Sequence, residues 1–393
     1  MKLITTLAVA CVLAIAALAQ TPTPSPPKSG TVPITLDHDR VIIDVRLPLP
    51  GGSTKRVRAW VDNGNPDMWI TAELADSLKL PLSGEPQPVL YGQARASQAP
   101  RVLIVGGVEI KMPAKVKAYA VIARTSVAPG MSAEISIPSS VLRDYDVTVD
   151  YLNRELTIGA PGSIRFQGTS VKASINPQSG LIQIPAKVAG EDQTLRLNLG
   201  SSFSFLAQAD FLKLLKAHPQ WPHMTGAVGP ANMWGTDDEP IWQLTRIPSI
   251  QLGPVVLSDV AVAGAKSMGT IGGNALLNYR VGLDYTHSTV YFDELTKSRP
   301  PQMDVVGLTL RREPDKTYTV IGIASIEGKP CVADVMPNDV LISVDKTLVK
   351  GGTMGQVWSL LSGSPGEERE LELSRDGKKF TVKAVVRRFL ATK

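Results

Sequence analysis

Two short segments of this chain place an acidic or amide side chain two residues before a glycine. They are Asp62-Asn63-Gly64 and Asn198-Leu199-Gly200. The carboxylate of Asp62 can act as a general acid or base, whereas the amide of Asn198 cannot transfer a proton. An Asp beside Asn-Gly is also common in plain turns, so either triplet alone leaves open the choice between a chemical site and a turn.

The segments that surround the two triplets recur in the same order. Residues 145–151 match residues 279–285, which follow 134 positions later, and residues 137–142 match residues 271–276 at the same spacing. The triplets themselves lie 136 positions apart. Three matches at nearly one spacing indicate one structural unit used twice. The alternative is a set of unrelated strands that share β-propensity.

The elements that must position the triplets are short strands. Residues 41–47 and 56–61 are rich in β-branched and apolar residues, and Gly51-Gly52 forms a turn between them. Similar strands with Gly and Pro punctuation continue to about residue 292, with few helical patterns. This pattern predicts a mostly β fold class. The repeat divides it into lobe one, residues 34–160, and lobe two, residues 161–296.

In each unit an apolar strand leads into the triplet, and a later apolar segment runs into a short helix. In lobe two that later segment is Thr270-Ile271-Gly272-Gly273. Triplet, crossing segment and following strand together resemble the retropepsin and pepsin-like aspartic proteases, over about residues 34–296. The resemblance implies two retropepsin-like lobes in a pepsin-like bilobal unit. It also implies catalytic dyad positions at Asp62 and Asn198, with Gly64 and Gly200 in the same two loops.

The family's chemistry needs two carboxylates about 3 Å apart that share one proton, one acting as base and the other as acid. This chain departs from that requirement at four positions. Asn198 replaces the second carboxylate, and Pro138 replaces a crossing-segment glycine. Asn63 and Leu199 replace the hydroxyl residues that tie the loops together, so we expect that tie to be lost on both sides. The resemblance therefore implies a peptide-binding scaffold with impaired catalysis.

The resemblance also implies flap hairpins downstream of each triplet. Tyr91 and Trp234 lie in those regions and are predicted to cover a bound peptide, while Ser201 beside the lobe-two triplet is predicted to contact it. Ordinary hairpin packing is the alternative for Tyr91 and Trp234.

A different pattern follows a polar linker after residue 296. Val306-Gly307-Leu308 has an apolar-Gly-apolar pattern, and residues 353–361 carry Met354 and Trp358 at helical spacing. These segments of residues 297–393 resemble a PDZ domain. The resemblance implies that an extended peptide is added as a strand, with its C-terminal carboxylate captured by amides around Gly307. The alternative is a domain that only braces the lobes.

The N-terminal residues indicate the compartment in which the protein resides. Residues 1–19 combine a positive start, a short apolar run and Ala17-Leu18-Ala19, which predicts a signal peptide and export to the periplasm or beyond. An uncleaved anchor is the alternative. Residues 20–33 are rich in Pro, Thr and Ser, which is typical of a flexible linker. Signal removal leaves Cys331 alone, so we expect no internal disulfide. No second long apolar stretch appears, so we expect no membrane span after signal removal.

Composition argues against several other functions. The chain has 41 Lys and Arg against 36 Asp and Glu without a basic block, so nothing indicates nucleic acid binding. His218 and His223 are separated by prolines, so we expect no metal site, and no phosphate loop or dinucleotide fingerprint indicates a cofactor.

The sequence leaves three hypotheses for function. They are an exported peptide-binding protein with impaired catalysis, an active aspartic endopeptidase that uses Asp62, and a scaffold whose PDZ-like domain alone binds protein C-termini.

Overall fold

The computed structural model describes residues 28–89, 92–124, 133–225, 243–266, 268–297, 303–313, 315–326 and 328–391. The predicted signal peptide lies outside these ranges. Within them most of the regular structure is strand, which confirms the predicted mostly β fold class. Two β lobes are followed by a C-terminal domain. None of the helices in these ranges is long and apolar enough to cross a bilayer.

Lobe one is built from short strands with two short helices. Its elements are β1 (Ser29–Asp37), β2 (Arg40–Pro48), β3 (Thr54–Asp62), β4 (Met68–Thr71), α1 (Ala72–Ser77), β5 (Leu82–Val89), β6 (Gly92–Ser97), β7 (Val102–Val105), β8 (Val108–Lys111), β9 (Ala118–Arg124), β10 (Ile135–Pro138), α2 (Ser139–Leu142), β11 (Asp146–Asp150) and β12 (Glu155–Gly159). Residues 29–33 pair with β12, so the predicted flexible linker is too long by these five residues.

Lobe two repeats this construction after residue 160. Its elements are β13 (Thr169–Lys172), β14 (Ser174–Ile175), β15 (Ile182–Val188), β16 (Glu191–Leu197), β17 (Ser204–Ala207), α3 (Gln208–Ala217), β18 (His223–Thr225), β19 (Gln243–Leu252), β20 (Val255–Ala265), β21 (Thr270–Ile271), a 3₁₀ helix (Gly273–Ala275), β22 (Tyr279–Asp284) and β23 (Thr289–Glu294).

The strand order of the two lobes is the same. In lobe one the order is β1-β2-β3-β10-β4-β9-β6-β5, and in lobe two it is β14-β15-β16-β21-β17-β20-β19-β18. The directions also agree, since β3 and β10 are parallel, as are β16 and β21. The repeat inferred from three short sequence matches therefore extends over the whole of both lobes.

One antiparallel sheet joins the lobes, in the order β13-β23-β22-β11-β12-β1. Its two central strands, β11 and β22, are the segments whose sequences repeat, and they pair with each other with Val149 opposite Val281. Alternating apolar residues of these strands are fully buried. One continuous apolar core runs through both lobes, so the lobes are held as a pair with their triplets at a fixed separation.

The C-terminal domain is a small sheet with one helix. Its elements are β24 (Met303–Val305), β25 (Leu308–Arg312), β26 (Tyr318–Ile323), β27 (Ser325–Ile326), β28 (Lys329–Pro330), β29 (Val340–Val344), β30 (Thr347–Leu348), α4 (Met354–Leu361), β31 (Glu368–Arg375), β32 (Lys378–Val385) and β33 (Arg387–Phe389). The predicted helix at residues 353–361 is α4. It starts at Met354 because Thr353 and Gln356 form a reciprocal capping box.

The C-terminal domain packs against lobe two through a second apolar core. The buried residues of this contact are Phe203, Met224, Leu244, Ala261 and Ala263 of lobe two with Met303, Val305, Ala324, Cys331, Phe389 and Leu390 of the C-terminal domain. The buried guanidinium of Arg246 adds a hydrogen bond of 2.7 Å from Nε to the carbonyl of Leu390. The C-terminal domain is therefore packed against lobe two as part of one folded unit.

Candidate functional site

Asp62 is the last residue of β3, where this strand runs parallel to β10 with Asp62 opposite Pro138. Its side chain is 3% exposed. Oδ1 of Asp62 accepts a hydrogen bond from the amide of Gly64, over 3.3 Å. The backbone of the first triplet therefore forms a tight turn in which the amide of Gly64 contacts the buried carboxylate of Asp62.

Asn198 holds the equivalent place in lobe two, directly after β16. Its backbone amide donates to the carbonyl of Ile271 over 3.0 Å, in line with the parallel pairing of β16 and β21. Oδ1 of Asn198 accepts a hydrogen bond from the amide of Gly200, over 2.8 Å. Asp62 and Asn198 thus make the same bond to the glycine two residues later.

The two loops approach each other closely at their glycines. A Cβ atom placed on Gly64 would lie 2.1 Å from Nδ2 of Asn198, and a Cβ atom on Gly200 would lie 2.7 Å from Oδ1 of Asp62. Real carbon atoms do not approach so closely, so each loop needs glycine to make room for the side chain of the other loop. The structure therefore brings together the two predicted dyad positions and the two glycines of their loops.

Asn63 ties the loops across the lobe interface. Its Nδ2 donates to the carbonyl of Leu197 over 3.0 Å, and its Oδ1 accepts from the amide of Leu199 over 2.7 Å. The expectation that the tie is lost on both sides is therefore wrong for lobe one. A side-chain amide carries both an NH₂ donor group and a carbonyl acceptor, so it can make both of these bonds at once. The buried side chain of Leu199 has neither group and makes no such bond.

Two further residues bridge the loops, and neither was predicted from the sequence. Nε1 of Trp60 donates to the carbonyl of Gly200 over 3.2 Å, and Nη1 of Arg196 donates to the carbonyl of Gly64 over 3.4 Å. Trp60 and Arg196 each lie two residues before the Asp or Asn of their triplet. Trp60 and Arg196 are separated by the same 136 positions as the two triplets. This spacing could have predicted that they hold equivalent positions, although their residue types differ.

The electrostatic environment of Asp62 favours its neutral form. Burial raises the pKa of Asp62 to about 7, against the opposing effects of the Gly64 amide, Arg40 and Arg196. A carboxyl group with this pKa is partly protonated near neutral pH and can either accept or donate a proton there.

The crossing segments are present in both lobes. The amide of Ser139 donates to the carbonyl of Asn65 over 2.9 Å, and the amide of Gly273 donates to the carbonyl of Ser201 over 2.8 Å. These contacts lie immediately after β10 and β21, so Pro138 leaves this part of the lobe-one crossing intact.

Of the three residues predicted to contact a bound peptide, the structure describes Ser201. Tyr91 and Trp234 lie outside the described residues, so their roles stay predictions. The strands β5 and β6 that flank Tyr91 form an antiparallel hairpin. The hydroxyl of Ser201 donates to the carbonyl of Phe203 over 2.8 Å, within its own loop.

The residues predicted to form a peptide groove in the C-terminal domain lie on α4 and at the start of β25. Val306, Leu308 and Met354 are buried. The amide of Val306 donates to the carbonyl of Leu361 over 2.8 Å, and the amide of Leu308 donates to the carbonyl of Val306 over 2.7 Å. Gly307 packs against Ala324, Cys331 and Phe389, while the indole ring of Trp358 lies against His38. Two of the amides expected to capture a carboxylate are thus engaged within the chain.

No group of three or more His, Cys, Asp or Glu side chains with metal-binding geometry occurs in the described ranges. The ring of His218 stacks on Trp221 at 4.1 Å, and Nδ1 of His223 lies 2.9 Å from the carbonyl of Trp221. The absence of a metal site stays a prediction.

Neither a protein-family profile nor a curated protein matches this chain. Among solved structures, the chain is similar to the aspartic proteinase from Irpex lacteus. The TM-score is 0.43 and the sequence identity is 14%, over 68% of this chain and 99% of that chain. The lobes, the shared sheet and the paired loops described above rest on this chain's own strand pairing and hydrogen bonds.

Proposed function

We propose that this chain binds extended peptides in the cleft between its two β lobes and hydrolyses them poorly or not at all. The observation that carries this proposal is the position of Asn198, whose side chain makes the same hydrogen bond to Gly200 that Asp62 makes to Gly64. A neutral amide thus stands where a paired-carboxylate mechanism needs a second acid. The predicted signal peptide extends the proposal to an exported protein.

The chemistry of Asp62 and Asn198 explains how the chain could bind a peptide without hydrolysing it efficiently. Asn198 has nearly the shape of a protonated aspartate and can donate through Nδ2, so it can still orient a peptide carbonyl or a water. It cannot release that proton to a leaving amine, and Asp62 must then serve as both base and acid. General acid–base catalysis typically increases a reaction rate by about 10²–10⁴. Without a second carboxylate, we expect this chain to lose much of that increase in peptide hydrolysis.

The lobe-one hairpin supports the binding half of the proposal. Strand β5 pairs with β6 and lies at the end of the lobe-one sheet, so its outer edge offers backbone groups to an added strand. Peptides that bind in this way gain affinity from backbone hydrogen bonds and selectivity from side-chain pockets. We propose Tyr91, Trp234 and Ser201 as residues that line the peptide's path.

A slow peptidase that uses Asp62 alone is the second candidate. It is favoured by the pKa of Asp62, which burial raises to about 7. A base is most effective when its pKa lies near the working pH. In this alternative Asp62 takes a proton from water and later returns it, while Asn198 only holds the substrate carbonyl.

Peptide cleavage and peptide binding by the mature chain test the proposal together. A randomised peptide library is incubated from pH 3 to 7 with wild type, Asp62→Ala and Asn198→Asp, and binding is measured by calorimetry. We expect binding without turnover in wild type and turnover in Asn198→Asp. Asn176→Asp is the matched control, since it adds the same charge at an exposed position and keeps the acceptor for the amides of Gln178 and Ser179.

Wild-type turnover that disappears in Asp62→Ala would instead establish the one-carboxylate peptidase. The third hypothesis, a scaffold that binds protein C-termini through Val306, Gly307 and Leu308, is tested with the same chain and peptides. Binding that survives Asp62→Ala but is abolished when the peptide C-terminus is amidated would locate the ligand in the C-terminal domain. Binding that is indifferent to amidation would locate it elsewhere.

A further inference from the structure

The turn between β1 and β2 touches all three parts of the molecule. It consists of Asp37, His38, Asp39 and Arg40 and is called the 37–40 turn below. Asp37 and Arg40 pair across its base, and His38 and Asp39 take left-handed φ angles of 50° and 65°. This tight turn buries Asp37 and Arg40 at 3% and 2% exposure, which is rare for charged side chains and calls for nearby polar partners.

On one side the turn contacts helix α4 of the C-terminal domain. Oδ1 of Asp37 accepts a hydrogen bond of 2.8 Å from the amide of Gly355, in the first turn of α4. The rings of His38 and Trp358 lie 4.7 Å apart. A carboxylate at this end of a helix satisfies a free amide and complements the positive end of the helix dipole.

On the other side the turn contacts the loops of the cleft. A Cβ atom on Gly273 would lie 2.1 Å from the carbonyl oxygen of Asp39, so the lobe-two crossing segment packs directly on the turn. The amide of Val41, the next residue, lies 3.5 Å from the carbonyl of Leu199 in the Asn198 loop. The positive charge of Arg40 lowers the pKa of Asp62, against the effect of burial.

Lobe two contains an equivalent turn at residues 176–180. The hydroxyl of Ser139 donates to the carbonyl of Ser179 over 2.6 Å, and a Cβ atom on Gly180 would lie 2.3 Å from the carbonyl of Ser139. Each turn therefore packs on the crossing segment of the opposite lobe. The 37–40 turn differs from its counterpart in its hydrogen bond to α4 and in the burial of its charged residues.

We propose that the 37–40 turn is the link through which the C-terminal domain holds the loops of Asp62 and Asn198 in their paired arrangement. Asp37 is then a positioning residue, since it contacts α4 and acts on the cleft through the turn. The inference rests on the proposed function only in that these loops are those of the peptide cleft. It concerns the protein without a bound peptide.

Amide hydrogen exchange of the full mature chain, without peptide, tests this link at three positions. The amides of Gly64 and Gly200 report the paired loops, and the amide of Gly355 reports the contact with Asp37. In Asp37→Ala we expect exchange about tenfold faster or more at all three, because a hydrogen bond to a charged group is lost. In Asp37→Asn we expect protection to return, because an amide oxygen can also cap a helix.

Asn176→Ala is the matched control, because it loosens the equivalent turn and should leave Gly355 unchanged. His38→Ala, which removes the ring contact with Trp358, gives the same readout if Asp37→Ala does not fold. Faster exchange at Gly355 with unchanged Gly64 and Gly200 would overturn the link, as would unchanged exchange at Gly355 or a failure of Asn to restore protection. Since no peptide is present, a cleft that binds no peptide leaves this test intact.

Discussion

Trp60 and Arg196 occupy equivalent positions in the two lobes, and each donates a hydrogen bond to the glycine carbonyl of the opposite loop. Nε1 of Trp60 lies 3.2 Å from the oxygen of Gly200, and Nη1 of Arg196 lies 3.4 Å from the oxygen of Gly64. An indole and a guanidinium share little except length and an N–H donor. Two different residue types therefore make equivalent hydrogen bonds across the interface.

Replacing Trp60 with Phe should destabilise the protein by about 1–3 kcal/mol, because the buried carbonyl of Gly200 loses its donor while most of the ring volume stays. The measurement is the free energy of unfolding in urea. Trp221→Phe, at a half-buried position outside the loops, is the control and should cost less. Equal losses in the two variants would mean that the indole acts by volume and not by its hydrogen bond.

Asn63→Ala should cost more than Trp60→Phe, on the order of 2–4 kcal/mol. It leaves both the amide of Leu199 and the carbonyl of Leu197 buried without the partner that Asn63 supplies. Asn63→Thr should recover part of the loss, since a hydroxyl both donates and accepts but reaches less far. Urea unfolding compares the two variants with Gln98→Ala, an exposed control. Full stability in Asn63→Ala would refute the bridging role.

The repeat was predictable from the sequence because each unit uses the same strand order and pairs its repeated strand with that of the other unit. The position of Asn198 beside Asp62 followed from the same spacing. The bridge made by Asn63 was missed because the prediction rested on the loss of a hydroxyl, and a side-chain amide also carries both a donor and an acceptor. The contact between Asp37 and Gly355 was not predictable, since it joins residues 318 positions apart in units with unrelated patterns.

The close approach of Gly64 to Asn198 predicts strong coupling between the two positions. Gly64→Ala alone should be severely destabilising, because its Cβ atom would overlap Nδ2 and Cγ of Asn198. Asn198→Ala removes those atoms, so the double variant should be more stable than the sum of the two single losses indicates. A double-mutant cycle in urea should give a coupling energy above about 1 kcal/mol. Simple additivity would show that the loops lie further apart.

The pKa of Asp62 predicts how stability changes with pH. Because burial raises this pKa from 3.8 to about 7, the native state binds more protons than the unfolded state between about pH 4 and 7. The contribution of Asp62 to stability is therefore fully present below its pKa in the unfolded state, 3.8, and is lost as the pH rises through its pKa in the folded state, about 7. Asp62→Asn, which cannot ionise, should be more stable than wild type by roughly 2–4 kcal/mol at pH 8.

That difference should shrink as the pH falls and nearly vanish at pH 4, which urea unfolding at each pH would measure. Burial also raises the pKa of Asp39, to about 6, so wild type alone would show a mixed profile. Subtracting the profile of Asp62→Asn isolates Asp62, and Asp76→Asn on the exposed side of α1 controls for the loss of one charge. A constant difference from pH 4 to 8 would mean that Asp62 stays ionised beside Arg40 and Arg196. The carboxylate would then be a fixed charge that cannot take a proton from water near pH 7, and the one-carboxylate peptidase would lose its base.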